Sequence, residues 1–173
     1  MRLRLLFLAL VLASCGRGSA GPPPADWPRP PDDALKAKVV HVTDGDTVVL
    51  SGIPIGREHR RTGGRSARII GVDTPEMRPV ECFGREATAF AQRRLSGRDV
   101  RVAFDVQATD RYGRALVYLW DRDGRLFNAD LVAEGYAVPL TIPPNVEHAD
   151  LFVRLSRQAR EADRGLWRDC EQR

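Results

Sequence analysis

Short stretches rich in β-branched residues recur along the chain, and they predict β-strands. Residues 39–42 and 47–50 form the first pair, and Asp44-Gly45 between them is a strong hairpin signal. Three further strands are predicted over residues 67–72, 100–104 and 115–120.

Apolar residues at helical spacing predict three helices. The first covers residues 84–95 and ends before Gly97, the second is short, capped by Asn128 and ends near Gly135, and the third covers residues 149–162. Five strands, three helices and a strand-first order predict a mainly β protein with α-helices, in which a small Greek-key barrel carries the helices at one end.

The N-terminal residues 1–14 are typical of a secretory signal peptide. Arg2 and Arg4 precede an apolar run over residues 5–12, and small residues follow up to Cys15. The run is far shorter than the roughly 18–20 residues that span a bilayer; a buried core helix is the alternative. Residues 12–15 also resemble a bacterial lipobox, which would lipidate Cys15 and anchor the protein in a membrane; plain cleavage is the alternative.

The region after Cys15 supports an exported protein. It would be a membrane-anchored lipoprotein that faces the periplasm or the cell exterior, or otherwise a secreted protein. Residues 16–36 are rich in Gly and Pro and predict an extended tether, so the folded domain covers residues 37–170. An oxidising compartment permits a disulfide between Cys82 and Cys170; two unrelated thiols are the alternative.

The net charge says little about the partner. The chain has 27 basic and 23 acidic residues, a formal charge of +4. Removal of Arg2 and Arg4 leaves 25 basic against 23 acidic residues, or +2, which is too mild to indicate nucleic acid by itself. A local cluster of arginines before the third strand is more informative, because it could bind backbone phosphates; a solvated loop is the alternative. Its members are Arg57, Arg60, Arg61 and Arg65.

Two segments, residues 44–47 and 68–76, carry the carboxylates that could bind a cation. Calcium takes six to eight oxygen ligands from carboxylates, carbonyls and water. Asp46 and Asp73 are candidate ligands, and Asp44 adds charge nearby. Pro75 favours an extended Thr74, whose carbonyl could point at the same ion. A plain hairpin turn is the alternative for residues 44–46.

Residues 121–124 do not form a second calcium motif. Residues 121–124 begin like an EF-hand loop, but position twelve of that loop is Val132 rather than a glutamate.

Arg68 and Arg114 are candidates for binding a phosphate, because the planar guanidinium donates two parallel hydrogen bonds and keeps its charge. Together with a divalent cation they would offset the charge on a five-coordinate phosphorus. Arg68 lies in an otherwise apolar strand; a solvated arginine on an edge strand is the alternative. Arg114 by itself could be a turn residue. Glu76 could orient a metal-bound water or take its proton, although an exposed glutamate is the alternative.

This site sets a geometric requirement. Arg68 and Asp73 are five residues apart, so strict alternation would place them on opposite faces of a strand. Both reach one site only if the strand bulges, for example at Gly71, or ends before Asp73. The guanidinium groups of Arg68 and Arg114 must also lie on the same side of the barrel as the carboxylates of Asp46 and Asp73.

Five segments, in this order and spacing, resemble the staphylococcal nuclease family from about Val39 to Trp167. They are DGDT (44–47), RIIGVDTPE (68–76), FGREATAF (83–90), TDRYGR (109–114) and LFNADLVAEGYA (126–137). The resemblance implies an OB-type five-stranded barrel with three helices and calcium-dependent hydrolysis of DNA and RNA. It also implies roles by motif position: calcium ligands at Asp46, Asp73 and the Thr74 carbonyl with Asp44 close by, a phosphate clamp of Arg68 and Arg114, a candidate general base at Glu76, and Tyr112 near the nucleotide.

The sequence departs from the family pattern in three places. The turn between the second and third strands is longer and rich in arginine, and the loop between Glu76 and Gly84 is shorter. The tyrosines that flank the nucleotide after the second helix are absent, and Leu140, Thr141 and Ile142 occupy that stretch. These departures leave the chemistry intact but bear on base preference and affinity.

The leading hypothesis is therefore a monomeric, calcium-dependent nuclease that acts on DNA, RNA or both. The alternative is a nucleic-acid-binding or interaction module that keeps the barrel without catalysis. The presence of two aspartates, two arginines and a glutamate together favours the enzyme. A structural lipoprotein without a ligand would leave Arg68 and the carboxylates unexplained.

Overall fold

The structure, a computed structural model, describes residues 22–170. The predicted signal peptide, the candidate lipid site Cys15 and the first part of the predicted tether lie outside the described residues. In chain order the elements are β1 (Leu35–Val42), β2 (Thr47–Ser51), β3 (Arg65–Ile69), β4 (Gly71–Asp73), α1 (Gly84–Leu95), β5 (Asp99–Ala103), β6 (Ala115–Trp120), α2 (Phe127–Ala133), β7 (Val138–Leu140), α3 (Ala149–Glu161) and α4 (Leu166–Asp169).

Five strands close into a barrel in the order β1-β2-β3-β6-β5, which confirms the predicted fold class. The strand pairs are antiparallel except for β3 and β6, which run parallel. The chain crosses from β3 to β6 through β4, α1 and β5, so a parallel pair is possible. This crossover brings the start of β6 beside the middle of β3.

The strand predicted over residues 67–72 is divided in the structure. β3 ends at Ile69, and β4 leaves the barrel to pair with β7 in a separate two-stranded sheet. Gly71 has φ +78°, and a Cβ atom at this position would lie 2.3 Å from the ring of Phe152. Only glycine meets both conditions. The spacing of Arg68 and Asp73 requires a break in the strand, and this break occurs between β3 and β4, next to Gly71 and before Asp73.

Two of the predicted helices, α1 and α3, are found where the sequence predicts them. α1 has the predicted bounds, and α3 buries the predicted stripe of Leu151, Leu155 and Ala159. The short helix α4 was not predicted, so described residues 22–170 contain four helices rather than three. Four residues are fewer than the periodicity of a helix needs to become visible.

The predicted capping role of Asn128 is wrong. Leu126 is the N-cap of α2, and Asn128 lies inside the helix, fully buried. Its side-chain oxygen accepts from the Leu119 N–H at 3.0 Å, and its amide nitrogen donates to the Ile70 carbonyl at 2.8 Å. Asn128 therefore joins α2 to β6 and to the break after β3. Asparagine is common at helix N-caps because its side chain bonds to nearby backbone groups. Here the same side chain is buried and bonds to backbone groups of distant residues instead.

The described part of the predicted tether packs on the barrel rather than extending from it. Trp27 is buried in the core, and the guanidinium of Arg125 lies 5.1 Å from its ring centroid. The Trp120 indole N–H donates to the Pro28 carbonyl at 2.9 Å. The first strand also begins at Leu35, ahead of the predicted domain boundary at residue 37. The Gly and Pro content predicted an extended tether, whereas the burial of Trp27 holds this segment against the barrel.

A disulfide joins Cys82, in the loop before α1, to Cys170 after α4. The two residues are 88 positions apart. In the chain-entropy model a loop of this length stabilises the fold by at most about 4–5 kcal/mol. Between residues 22 and 170, none of the helices has both the length and the apolar character needed to cross a bilayer.

Candidate active site

The candidate site lies where β2 begins, β4 ends and β6 begins. Asp46 directly precedes β2, and the register of β2 with β3 sets Thr47 opposite Arg68. The parallel register sets Ala115, which follows Arg114, opposite Ala67. Strand pairing alone therefore brings Asp46, Arg68 and Arg114 to one end of the barrel, although they are far apart in the chain.

Arg68 connects the two candidate calcium ligands. Its guanidinium forms ion pairs with the carboxylate of Asp46 and, at 2.6 Å, with Oδ1 of Asp73. The Arg68 side chain is only 14% exposed, and β3 is a central strand with β2 on one side and β6 on the other. The alternative of a solvated arginine on an edge strand is therefore excluded.

Asp46 is held by a segment 28 residues away. Its Oδ2 accepts from both the backbone N–H and the hydroxyl of Thr74, each at 2.8 Å. A Cβ atom at residue 45 would lie 2.7 Å from the Thr74 side chain, so glycine is required for this close approach. Asp46 is buried. The segment 44–46 is thus more than a plain hairpin turn, because it receives the end of β4.

Asp44 belongs to the same electrostatic environment. Its Oδ1 accepts from the Asp46 N–H at 3.2 Å. Burial raises the pKa of the Asp44 carboxyl, while hydrogen bonds with Thr47 and the charges of Arg68 and Arg114 act in the opposite direction. Burial likewise lowers the pKa of the Arg68 guanidinium. Both arginines therefore act on one carboxylate at one end of the barrel.

Arg114 is oriented by Asp110, a role that the sequence interpretation did not assign. Arg114 Nε donates to Asp110 Oδ2 at 2.7 Å, and Asp110 Oδ1 accepts from the backbone N–H groups of Tyr112 and Arg114, each at 2.9 Å. Burial alone would raise the pKa of Asp110, but the hydrogen bonds from Arg114 outweigh it and lower that pKa. Asp110 therefore stays ionised. The spacing of four residues between an Asp and an Arg was the signal available in the sequence.

The terminal nitrogens of Arg114 are available to a ligand. Within residues 22–170 no protein group accepts a hydrogen bond from them, since only Nε is used. These two nitrogens carry four of the five N–H donors of the guanidinium and form one side of its planar fork. Asp110 thus fixes the direction of the guanidinium without occupying the donors that a phosphate would use.

The two arginines line a common cavity of about 460 Å³. Its wall is largely apolar, with Ile70, Val72, Leu116, Leu140 and Ile142. Tyr112 is 56% exposed at its rim, and the guanidinium groups of Arg111 and Arg114 lie 4.8 and 5.7 Å from its ring centroid. The cavity therefore has a cationic end beside an apolar wall, as a ligand with both phosphate and ring surfaces would require.

Glu76 is the candidate that the structure does not join to the others. Its backbone N–H donates to Glu81 Oε2 at 2.9 Å, and its carbonyl accepts from the Glu81 N–H at 2.9 Å. The Glu76 side chain is exposed, and within the described part of the chain its carboxylate makes no hydrogen bond or ion pair. Its role as a base stays a prediction.

The carboxylates of Asp46 and Asp73 would form part of the oxygen ligand shell of a hard cation. Asp46 and Asp73 both contact one guanidinium, so their oxygens face a common positive group. In residues 22–170 no cluster of three or more His, Cys, Asp or Glu side chains could hold a metal ion. A calcium ion here would therefore need backbone carbonyl, water or phosphate oxygens besides the two carboxylates.

The fold and the site together define a small barrel protein in which two arginines line one cavity and one of them, Arg68, is paired with two aspartates. Residues 66–169 match the family model described as "Staphylococcal nuclease homologue". The chain belongs to the staphylococcal nuclease family.

Curated relatives agree with this assignment. The chain is 35% identical over 134 residues to a thermonuclease from Staphylococcus hyicus, a match that covers 75% of this chain and 74% of the relative. It is 34% identical over 133 residues to the thermonuclease of Staphylococcus intermedius, with the same coverage. An uncharacterized endonuclease from Escherichia coli O157:H7 is 29% identical over 137 residues, covering 79% of this chain and 80% of the relative.

Proposed function

We propose that this nuclease depends on calcium and hydrolyses phosphodiester bonds within DNA, RNA or both. That the protein is a phosphodiester-hydrolysing nuclease follows from its family and from the thermonucleases among its relatives. The observation that carries the finer proposal is that Arg68 and Arg114 line one cavity, while Arg68 is also ion-paired with the carboxylates of Asp46 and Asp73.

The two arginines bind the scissile phosphate. Arg114 directs its two free terminal nitrogens at non-bridging oxygens, while Asp110 holds its Nε. Arg68 supplies a second, nearly buried charge beside it. As phosphorus becomes five-coordinate, negative charge grows on these oxygens, and donors already in position stabilise it without reorganisation.

Asp46, Asp73 and the Thr74 carbonyl would hold calcium, with Asp44 adding negative charge nearby. Such an ion, when bound, polarises a phosphoryl oxygen and lowers the pKa of a bound water. Thr74 keeps Asp46 in place through two hydrogen bonds of 2.8 Å. These residues therefore have a positioning network of their own besides the ligand atoms.

Glu76 acts on the attacking water, by orienting it or by taking its proton. The exposed carboxylate can reach solvent, and the paired hydrogen bonds with Glu81 hold its backbone. Tyr112 and the apolar wall that includes Leu140 and Ile142 contact the sugar and base of the substrate. Aliphatic side chains here offer shape but no hydrogen bonds to a base.

The protein works outside the cytoplasm as a monomer. The predicted signal peptide and lipidation of Cys15 would anchor it in a membrane, with secretion as the alternative. The disulfide between Cys82 and Cys170 supports an oxidising compartment.

A catalytically silent binding module is the second candidate function. The observation in its favour is that the Glu76 carboxylate makes no contact with the other site residues in the described chain. It would bind nucleic acid through the same cavity but leave it intact.

The decisive experiment incubates the purified protein with single-stranded DNA and RNA 20-mers, with calcium or with a chelator. We expect cleavage only with calcium, and a Glu76→Ala variant that loses activity by orders of magnitude. Glu86→Ala is the matched control, because Glu86 is an exposed glutamate in the first turn of α1. Cleavage that persists in chelator removes the metal from the proposal, and binding without cleavage by the unaltered protein establishes the silent module.

A further inference from the structure

The connection between β2 and β3 contains an ordered hairpin, residues 57–65, which we name the arginine hairpin. The His59 N–H donates to the Gly64 carbonyl at 2.7 Å, and the Gly63 N–H donates to the His59 carbonyl at 2.9 Å. Glu58 and Arg65 form a bridge across it. The His59 ring nitrogen also meets the Thr62 hydroxyl at 3.1 Å. These bonds hold the tip, so its arginines are displayed from a defined backbone.

The base of the arginine hairpin is bonded to the turn that carries Arg114. The Arg57 N–H donates to the Gly113 carbonyl at 2.5 Å, and the Ser66 N–H donates to the Arg57 carbonyl at 2.8 Å. Gly113 lies between Tyr112 and Arg114, both of which line the cavity of the candidate site. The hairpin therefore starts directly beside that cavity.

The hairpin concentrates positive charge that the protein itself does not neutralise. Arg57, Arg60 and Arg61 are exposed, and within residues 22–170 none of their guanidinium groups has a hydrogen-bond or ion-pair partner. The three side chains line one groove of about 570 Å³, in which Glu58 is the acidic member of the lining. Like charges held close together repel each other, and an anionic ligand relieves this repulsion.

We infer that the arginine hairpin binds backbone phosphates of the nucleic-acid strand next to the scissile phosphate. A strand whose scissile phosphate lies between Arg68 and Arg114 can continue across the Arg57 and Gly113 junction into the groove. Arginine guanidinium groups bind phosphate oxygens without reading the base. The inference rests on the proposed function, and it makes the enzyme select long strands over dinucleotides.

The test compares the full chain with an Arg60→Gln/Arg61→Gln variant. Arg57 is left unchanged because its backbone attaches the hairpin. The matched control is Arg93→Gln/Arg157→Gln, which removes the same charge from exposed positions on α1 and α3, away from both cavities. Binding of a fluorescent single-stranded 20-mer is measured by anisotropy in chelator, over a series of salt concentrations.

Log affinity falls as log salt rises, and each lost phosphate contact makes the magnitude of this slope smaller by about 0.7 for a single strand. We therefore expect the hairpin variant to lose about 1.4 from the slope and to bind roughly tenfold more weakly near 0.15 M salt. Arg60→Lys/Arg61→Lys should keep most of the slope, because the charge remains. In cleavage assays, the ratio of kcat/KM for the 20-mer to that for a dinucleotide should fall by a similar factor in the hairpin variant, through KM.

The outcomes separate the two proposals. If the unaltered protein cleaves neither substrate, the proposed function fails, yet the anisotropy series still decides the role of the hairpin. An unchanged slope in the hairpin variant overturns the inference. An equal loss in the Arg93 and Arg157 control also overturns it, since the effect would then reflect net charge alone.

Discussion

Two clusters of arginine and aspartate side chains are built from the same chemical groups but differ in whether their arginines line the candidate cavity. The buried cluster consists of Arg94, Asp121, Arg125 and Asp130. Asp130 is 1% exposed and accepts from Arg94 at 2.9 Å and from Arg125 Nε at 3.2 Å. Arg94 also donates to Asp121 at 2.8 Å. The buried cluster thus joins α1, the turn after β6 and α2.

In the turn of the buried cluster, both carboxylate oxygens of Asp121 are used. Asp121 Oδ1 accepts from the backbone N–H groups of Asp123 and Arg125, each at 3.0 Å. These contacts explain residues 121–124 without any metal. The Arg125 guanidinium further stacks on Trp27, so the cluster also fastens the N-terminal segment.

The site cluster consists of Asp46, Arg68, Asp73, Asp110 and Arg114, and three of these residues, Arg68, Asp110 and Arg114, line the cavity. Both terminal nitrogens of Arg114 have no protein partner in the described residues, because Asp110 occupies only its Nε. An ion pair between arginine and aspartate is therefore no sign of a functional site in itself. Donors that remain unused and face a cavity are the distinguishing feature.

The largest effect on stability is expected from Asp130→Asn. The change leaves Arg94 and Arg125 against a neutral amide, and removal of one partner from a buried ion pair costs about 3–5 kcal/mol. The free energy of unfolding, measured in urea, should fall by that amount, while kcat of the folded protein stays unchanged. Asp123→Asn is the control, since its exposed pair with Arg122 should contribute less than about 1 kcal/mol. Equal stabilities of the two variants would erase the distinction between the clusters.

Arg114→Ala should lower activity while leaving stability nearly unchanged, the reverse of what is expected for Asp130→Asn. We expect a loss of about 10²–10³-fold in kcat, because donors to a developing negative charge are removed. The melting temperature should stay close to that of the unaltered protein, because the Arg114 guanidinium makes one hydrogen-bonded ion pair. Arg114→Lys should recover only part of the rate, as it restores the charge but not the fork. Full activity of Arg114→Ala would refute the assigned role.

Calcium should stabilise the folded protein only by binding at the site cluster. At a calcium concentration one hundred times its Kd, binding to the folded state raises the free energy of unfolding by about 2.7 kcal/mol. Calorimetry with calcium and with chelator should show this increment in the unaltered protein and in Asp123→Asn. The increment should vanish in Asp46→Asn. A calcium effect that survives in Asp46→Asn would place the ion elsewhere.

The smallest effect concerns His148, which lies in neither cluster. Its ring packs 4.5 Å from that of Tyr118, and its Nε2 is buried without a partner in the described residues. Burial lowers the pKa of His148 below its ordinary value of 6.5, although the charges of Glu147 and Asp105 oppose this. The unfolded chain therefore takes up the proton first as pH falls, and stability present above about pH 6.5 is lost through the lower, folded pKa.

His148→Gln removes this titration. The decrease in free energy of unfolding between pH 7 and pH 5 should be smaller in the variant than in the unaltered protein, as urea unfolding at both pH values would reveal. The pH dependence of kcat should be the same in both. An identical decrease in stability would mean that His148 is freely protonated in the fold.

Much of the architecture and most of the candidate site could be derived from local patterns. α1 has the predicted bounds because its apolar spacing and the glycine after it are features of neighbouring residues. The break before Asp73 followed from the period of a strand and the position of Gly71. The site arginines and aspartates were found because their segments resemble a family in order and spacing. Asp110 was missed as the residue that orients Arg114, although both lie in one of those segments.

Other features were decided by contacts between distant residues. Trp27 lies in a Pro-rich stretch but belongs to the core, because its ring packs against the barrel and contacts the guanidinium of Arg125. Asn128 looked like a helix cap, but Ile70 and Leu119 made it a buried connector. Arg94 and Asp130 are 36 residues apart, and no local pattern predicts that they form an ion pair. Periodicity and turn chemistry act over a few residues, so they determine elements; whether a charged group is saturated or free depends on what the folded chain places around it.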